Sequence, residues 1–210
     1  LVSIFFWYIY MIWTQFRAII FFSGKRIEIV HIHSQMYSLV AIWARVFKKK
    51  VFITFHGEDY NNFIRSSFLQ KLLFPYKKIF VISPLMQVGL SNYFDGSIVY
   101  TPNGVDTKLF RNLNLYRDQN ILCVGSFKSV KNHNKLIYAF CELVSIKEFS
   151  EFNLILVGEG PLKSNMIKLV KSLNLENSVF FLGNKTSKEL VKLYNSSALL
   201  VLASLREGFP

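Results

Sequence analysis

Apolar and polar positions alternate along this chain in two rhythms. Short runs rich in Val, Ile and Phe end at Gly, Asn, Asp or His. Between them lie longer stretches with apolar residues three and four apart. The short runs at 27–33, 51–55, 79–82 and 97–100 predict strands, and the stretches 36–47 and 63–74 predict helices. Lys48, Lys49 and Lys50 close the first of these helices, where the dipole favours cations. Ser83 before Pro84 reads as a helix cap followed by proline at the first helical position. A polar stretch at 112–120 interrupts the rhythm, which then resumes with strands at 121–124, 154–157, 179–182 and 199–202. A helix is expected over 134–147, another opens at Gly160-Pro161, and a third ends near Asn195. Thr186 with Glu189 three residues on is a capping box for that third helix. Strand–helix alternation of this kind predicts an α/β protein with parallel sheets covered on both faces. The interruption divides it into two units, 1–110 and 111–210.

The opening residues do not follow the rhythm. Positions 1–22 are apolar and aromatic, broken only by Ser3, Thr14, Gln15 and Arg17. Three readings stand side by side: a helix buried under a sheet, an interfacial helix suggested by the Trp, Tyr and Arg17, and a membrane-spanning helix allowed by the length. A secretory leader fits poorly, since no basic start precedes the run and no small-residue cleavage site follows it.

Composition narrows the class. Of 210 residues, 51% are hydrophobic, including 21 Phe and 10 Tyr, which is enough to fill a core and excludes a disordered chain. The net charge of +12 is spread over both halves and suits anionic partners: phosphates, an anionic membrane surface or nucleic acid. A solvated lysine-rich surface accounts for it equally well. No Arg-rich helix or nucleic-acid module appears, so no nucleic-acid partner is expected. Cys123 and Cys141 fall in a strand and a helix pattern, without Cys-x-x-Cys spacing, and read as core thiols.

Every group capable of chemistry lies just after an expected strand, where ligands bind in open α/β sheets. His33 follows the first strand. His56, Glu58 and Asp59 follow the second. Asn103-Gly104-Val105-Asp106 ends the first unit. In the second unit the strand at 121–124 runs into Gly125-Ser126, with Lys131 just before the next helix. Gly158-Glu159-Gly160-Pro161 follows the next strand, and Glu207-Gly208-Phe209-Pro210 the last. A strand, a glycine turn, a lysine and a helix N-terminus together make an anion-binding loop. His31 and His33 are read as facing apart, which would leave His31 structural. His56, Glu58 and Asp59 have no second cluster to make a metal site, so no metal is expected.

These pieces in this order resemble the retaining, nucleotide-sugar-dependent glycosyltransferases of the GT-B type, family 4. The resemblance rests on His31-Ile32-His33, Thr54-Phe55-His56-Gly57, Asn103-Gly104-Val105-Asp106, Val124-Gly125-Ser126 to Lys131-Asn132, Val157 to Pro161 and Ser204 to Pro210. It implies two Rossmann-like, doubly wound domains facing a cleft. It also implies transfer of a sugar from a nucleoside diphosphate onto a cell-envelope glycan or glycolipid, with retention and without a metal or other cofactor. By this resemblance Lys131 serves the donor diphosphate, with Gly125, Ser126, Gly158, Glu159 and Gly160 forming the surrounding loops. Glu207 is the first carboxylate of a paired-glutamate motif on the donor sugar, followed by Gly208, Phe209 and Pro210, and His56 lies near the reacting sugar. The implied partners are the nucleotide sugar and a glycan or lipid-linked acceptor. The implied location is the cytoplasm, with residues 1–22 and the basic surface offering contact to the inner face of the membrane. Ser126 stands where the family often has arginine. The chain starts at Leu1 and stops in a loop, so a fragment is expected at both ends. The family's opening glycine-rich strand and loop would precede Leu1, and its second glutamate would lie past Pro210. A catalytically inactive fragment or a non-catalytic nucleotide-sugar binder is the alternative reading.

Overall fold

A computed structural model describes residues 2–23, 27–34, 37–71 and 76–207. The chain divides into two compact units, one ending at Asn103 and one spanning Gly104–Glu207. The polar segment 112–120 thus belongs to the second unit.

The first unit begins with α1 (Val2–Ser23) and continues through β1 (Ile29–Ile32), α2 (Ser38–Val46), β2 (Lys50–Phe55), α3 (Gly57–Ile64) and α4 (Ser67–Lys71). It closes with β3 (Lys78–Val81), α5 (Pro84–Leu90) and β4 (Ser97–Tyr100). The four strands are parallel in the order β1-β2-β3-β4. Val51, Ile53 and Phe55 of β2 and Ile79 and Val81 of β3 point into one core with Ala41 and Ala44 of α2 and Phe63 of α3. This is the alternation a strand imposes: residues two apart share a face. The intervening positions carry a second, less covered aromatic group, with Phe52 and Phe80 in edge contact at 5.8 Å and His31 beside them. Ser83 caps α5 by accepting a hydrogen bond from the Met86 backbone N–H, as its sequence predicted.

Two local expectations are corrected. The helix expected over 63–74 starts instead at Gly57, directly after His56, and breaks before Ser67; its last positions lie outside the described residues. The stretch Gly57–Ile64 is too polar to show a helical stripe, and only Tyr60 and Phe63 reach the core. The lysine run does not end α2 as a unit. Phe47 is its C-cap, Lys48 turns left-handed at φ 57° and Lys50 already belongs to β2. Among the described residues no helix is long and apolar enough to cross a membrane.

The second unit holds β5 (Asp118–Val124), α6 (His133–Val144), β6 (Asn153–Val157), α7 (Lys163–Ser172), β7 (Val179–Gly183), α8 (Ser187–Ser196) and β8 (Ser197–Leu200). A 3₁₀ turn at Ser129–Lys131 precedes α6 and another at Lys147–Phe149 follows it. The strands are parallel in the order β7-β6-β5-β8. The chain therefore steps outward from β5 to β6 and β7, then returns to the opposite edge of β5. One face of the sheet packs Ile121, Cys123, Leu154 and Leu156 against α6 and α7, through Ile137, Phe140 and Val170. The other face packs Leu122, Ile155 and Val157 against Leu190, Leu193 and Tyr194 of α8. This unit is wound on both faces, as the alternation predicted. Thr186 and Glu189 form the expected reciprocal capping box, and its hydrogen bonds from the Thr186 backbone and side chain hold the Glu189 carboxyl down at about 2. Helix α7 starts at Lys163 rather than at Gly160-Pro161, which form the turn before it.

His133 is buried at the start of α6, with its ring stacked on Phe127 at 4.5 Å. Burial, then the nearby Lys131 charge, lowers its pKa below 6.5. The unfolded chain takes up this proton first as pH falls, so the contribution of His133 to stability is full above the unfolded value and is lost below it. His31, lowered by burial and by His33, has the same sign. The protein should accordingly unfold at lower denaturant at about pH 5.5 than at about pH 7.5. In His133→Phe the difference should shrink, which urea titrations at the two pH values would measure.

Candidate active site

The reversal of strand order in the second unit leaves a crevice outside the carboxyl ends of β5 and β8. At such a switch point the two loops turn to opposite faces and open a space for a ligand. Two neighbouring loops build its floor. The Gly125 N–H donates to the Val157 carbonyl at 2.9 Å, and the Phe127 N–H to the Glu159 carbonyl at 3.0 Å, so the ladder of β5 and β6 continues past both strands. This closeness requires glycine on the β6 side. Gly158 sits at φ 138°, and a Cβ there would lie 2.2 Å from the Gly125 carbonyl oxygen. One on Gly160 would lie 2.7 Å from the Phe127 nitrogen. Gly125 is different. A Cβ there would meet only the Lys131 stem, at 3.7 Å, so the fold leaves that space open without needing it.

The β8 side of the crevice is tied to the same loop. The Val201 N–H donates to the Leu122 carbonyl, and the Leu205 N–H to the Val130 carbonyl, both at 2.8 Å. Asn132, left-handed at φ 56°, donates from Nδ2 to the Ala203 carbonyl at 3.2 Å. These bonds bring Lys131 Nζ to 2.5 Å from Glu207 Oε1. Partial burial raises the Glu207 pKa, but hydrogen bonds from Lys131 and Ser204 and the Lys131 charge outweigh it, and the net shift is downward from 4.5. The carboxylate is thus held ionised beside a lysine, with the first N–H groups of α6 close in sequence. The arrangement gives one mobile cation and one fixed acceptor at the mouth of a sheet, which suits a ligand bearing both phosphate and hydroxyl groups. Glu159 turns its carboxylate to Lys163 at 2.6 Å, one helical turn on.

His56 lies in the first unit, at the end of β2, with an extended backbone as the N-cap of α3. Its Nε2 is 3.4 Å from His33 Nδ1. His31 Nε2 is 2.9 Å from Thr54 Oγ1, and its ring is 4.5 Å from that of His33. The expectation that His31 and His33 face apart is therefore corrected. Residues two apart along an extended chain share a face, and His33, directly after β1, keeps the side of His31, so the two rings meet. Ser34 Oγ donates to Asp59 Oδ1 at 2.8 Å. Among the described residues no group of His, Cys, Asp and Glu is arranged to hold a metal ion.

Of the residues singled out from sequence, Gly125, Ser126, Lys131, Gly158, Glu159, Gly160 and Glu207 come together at the carboxyl end of the second sheet. His56 belongs to the other unit. Gly208, Phe209 and Pro210 lie outside the described residues. Three contributors were not anticipated: Asn132, which straps the β8 loop, His133, which packs under Phe127, and Ser204, which bonds Glu207. A left-handed turn is an Asn preference, so Asn132 directly after Lys131 was the signal available.

If Gly125 is free of steric demands and Gly158 is not, the two should respond differently to the same change. Gly158→Ala should lower stability by about 2–4 kcal/mol, through backbone strain and the clash with the Gly125 carbonyl. Gly125→Ala should stay within about 0.5 kcal/mol of the parent. Urea unfolding of the two variants measures both.

Comparison with known proteins agrees with this geometry. Residues 105–210 match the family described as Glycosyl transferases group 1, and residues 2–109 match Glycosyltransferase Family 4. Over 95 residues the chain is 37% identical to N-acetylgalactosamine-N,N'-diacetylbacillosaminyl-diphospho-undecaprenol 4-alpha-N-acetylgalactosaminyltransferase of Campylobacter jejuni, covering 44% of this chain and 24% of that protein. In fold it resembles sucrose-phosphate synthase of Thermosynechococcus elongatus, with a TM-score of 0.72 at 22% identity over 87% of this chain and 52% of that one. It also resembles Anabaena Alr3699/HepE, solved in complex with UDP and glucose, with a TM-score of 0.68 at 17% identity over 84% of this chain and 53% of that one. The chain spans about half the length of these structural neighbours. With a family match over each half and two parallel-sheet units of the GT-B kind, the chain belongs to the family 4, group 1 glycosyltransferases.

Proposed function

We propose that the protein transfers a sugar, with retention and without a metal or other cofactor, from a nucleoside diphosphate to a cell-envelope glycan or lipid-linked acceptor. The observation that carries this reading is the pairing of Lys131 with Glu207 in the switch-point crevice. A nucleotide sugar presents a diphosphate and a ring of hydroxyls a few ångströms apart. Lys131 and the α6 N-terminus suit the first, and Glu207 suits the second. Backbone approach at Gly125 and Ser126 leaves room for the phosphates. Gly208, Phe209 and Pro210 follow Glu207 in sequence and are assigned to the same donor. The Campylobacter relative is named for an undecaprenol-linked acceptor, which supports a lipid-linked acceptor for this chain. The UDP and glucose in the HepE complex support a nucleotide-sugar donor.

In the reaction, the bond from the sugar C1 to the diphosphate oxygen breaks and a bond from C1 to the acceptor oxygen forms on the same face. The acceptor proton passes to the departing phosphate oxygen. Charge builds on the diphosphate, and a cation fixed beside it lowers the barrier. His56 serves as a hydrogen-bonding and positioning residue near the reacting sugar. The exposed aromatic face of α1, with Trp13 and Phe16 outward and Arg17 over the Trp13 ring at 4.6 Å, offers contact to the inner face of the cytoplasmic membrane.

A panel of nucleotide sugars, assayed for donor hydrolysis and for transfer, tests the proposal. Binding of one donor with turnover is expected. Binding without turnover would favour a non-catalytic nucleotide-sugar binder, and no binding across the panel would defeat both readings. Lys131→Ala should weaken nucleoside-diphosphate binding about 10- to 100-fold by calorimetry. Glu207→Gln should separate the two roles: nucleoside-diphosphate affinity within about three-fold of the parent, and transfer reduced about 100-fold or more.

A further inference from the structure

The carboxyl ends of β1 and β2 carry three imidazoles that the catalytic reading leaves largely unused. They form an array with both ends attached to β2. Thr54, buried on β2, bonds His31 Nε2 at 2.9 Å. The His31 ring lies 4.5 Å from that of His33 at 33° between planes. His33 Nδ1 then meets Nε2 of His56, two residues beyond Thr54 and directly after β2, at 3.4 Å. The His33 and His56 planes differ by 31°, and their centroids are 5.7 Å apart. Phe52 and Phe80 flank His31 from β2 and β3. Beside the array, Asp59 on α3 accepts a hydrogen bond from Ser34, the residue after His33.

We infer that His33 is a positioning residue for His56: it engages Nε2, fixes the ring orientation and tautomer, and leaves Nδ1 to face the substrate. A neutral imidazole has one donor and one acceptor nitrogen, and a partner on one assigns the other. His56 is the N-cap of α3 but makes no side-chain cap bond, so His33 is the ring partner seen for it among the described residues. His33 can act so because it follows β1 directly on the side that His31 takes, and β1 runs parallel to β2, which leads into His56. Stacking on His31, itself anchored by Thr54, keeps the His33 ring from rotating away. This inference rests on the role proposed above for His56 and adds a second residue to it.

Imidazole ¹⁵N resonances of the 210-residue protein at about pH 8, where ordinary imidazoles are neutral, read the pairing directly. In His33→Phe, which keeps the ring stack on His31, the His56 nitrogens should shift and their tautomer balance should change. In His33→Asn, which keeps a hydrogen-bonding group, they should move part of the way back. Unchanged His56 nitrogens in His33→Phe would overturn the inference. In transfer assays His33→Phe should lower kcat about ten-fold with the donor KM within about two-fold. The double variant His33→Phe/His56→Ala should then be no slower than His56→Ala alone, since a positioning residue acts only through the group it positions. Additive losses would overturn the positioning role. If His56→Ala retains full activity, the role proposed for His56 fails, and the resonance comparison still decides the pairing.

Discussion

The second unit depends on β5 being hydrogen-bonded along both edges. With β6 on one side and β8 on the other, β5 is the strand from which the winding reverses. That single placement determines which loops meet. The loop after β5 receives the loop after β6 on one flank and the loop after β8 on the other. Glycine at 158 and 160 lets the first pair of backbones touch, and bonds from Asn132 and Leu205 hold the second. Lys131 and Glu207 meet because of this order, and no local propensity of either segment would bring them together.

Burial and charge work in opposite directions in this crevice. The apolar layers beneath it, Phe127 and the α6 face, exclude water and force His133 toward its neutral form. The same layers would disfavour an ionised Glu207, and its lysine and serine partners offset that. The result is a site in which Glu207 and Glu159 each already have a lysine beside them. An incoming diphosphate must compete with Glu207 for Lys131, which makes the free site electrically balanced and limits the adventitious anions it would hold.

Much of the architecture was legible in the order of residues. Strand positions, the Ser83-Pro84 start and the Thr186–Glu189 box follow from patterns that act over a few residues. So do the loops that carry the candidate chemistry, because strand ends are marked by glycine and polar residues. Less legible were features that depend on what lies opposite. Gly57–Ile64 shows too few apolar residues for a helical stripe, yet the end of β2 and the core contacts of Tyr60 and Phe63 suffice to fold it. His31 and His33 meet because residues two apart along a strand share a face, so their contact follows from the period itself. The contact of His33 with His56 needed the parallel register of β1 with β2, and that of Lys131 with Glu207 needed the return of β8 to β5. Pairing across a sheet is non-local, and a single sequence does not state it.

Lys131 and Glu207 stand 76 residues apart in the chain, and this separation has a consequence during synthesis. As the polypeptide leaves the ribosome, the loop after β5 and the start of α6 can form early, from local contacts. Its partner carboxylate emerges only after three further strands and two further helices. Until β8 docks, the lysine loop is without its counter-charge and β5 has one bare edge, which is the kind of surface that recruits chaperones and misdirected strands. The docking of β8 is therefore the step at which β5 gains its second neighbour and Lys131 its counter-charge.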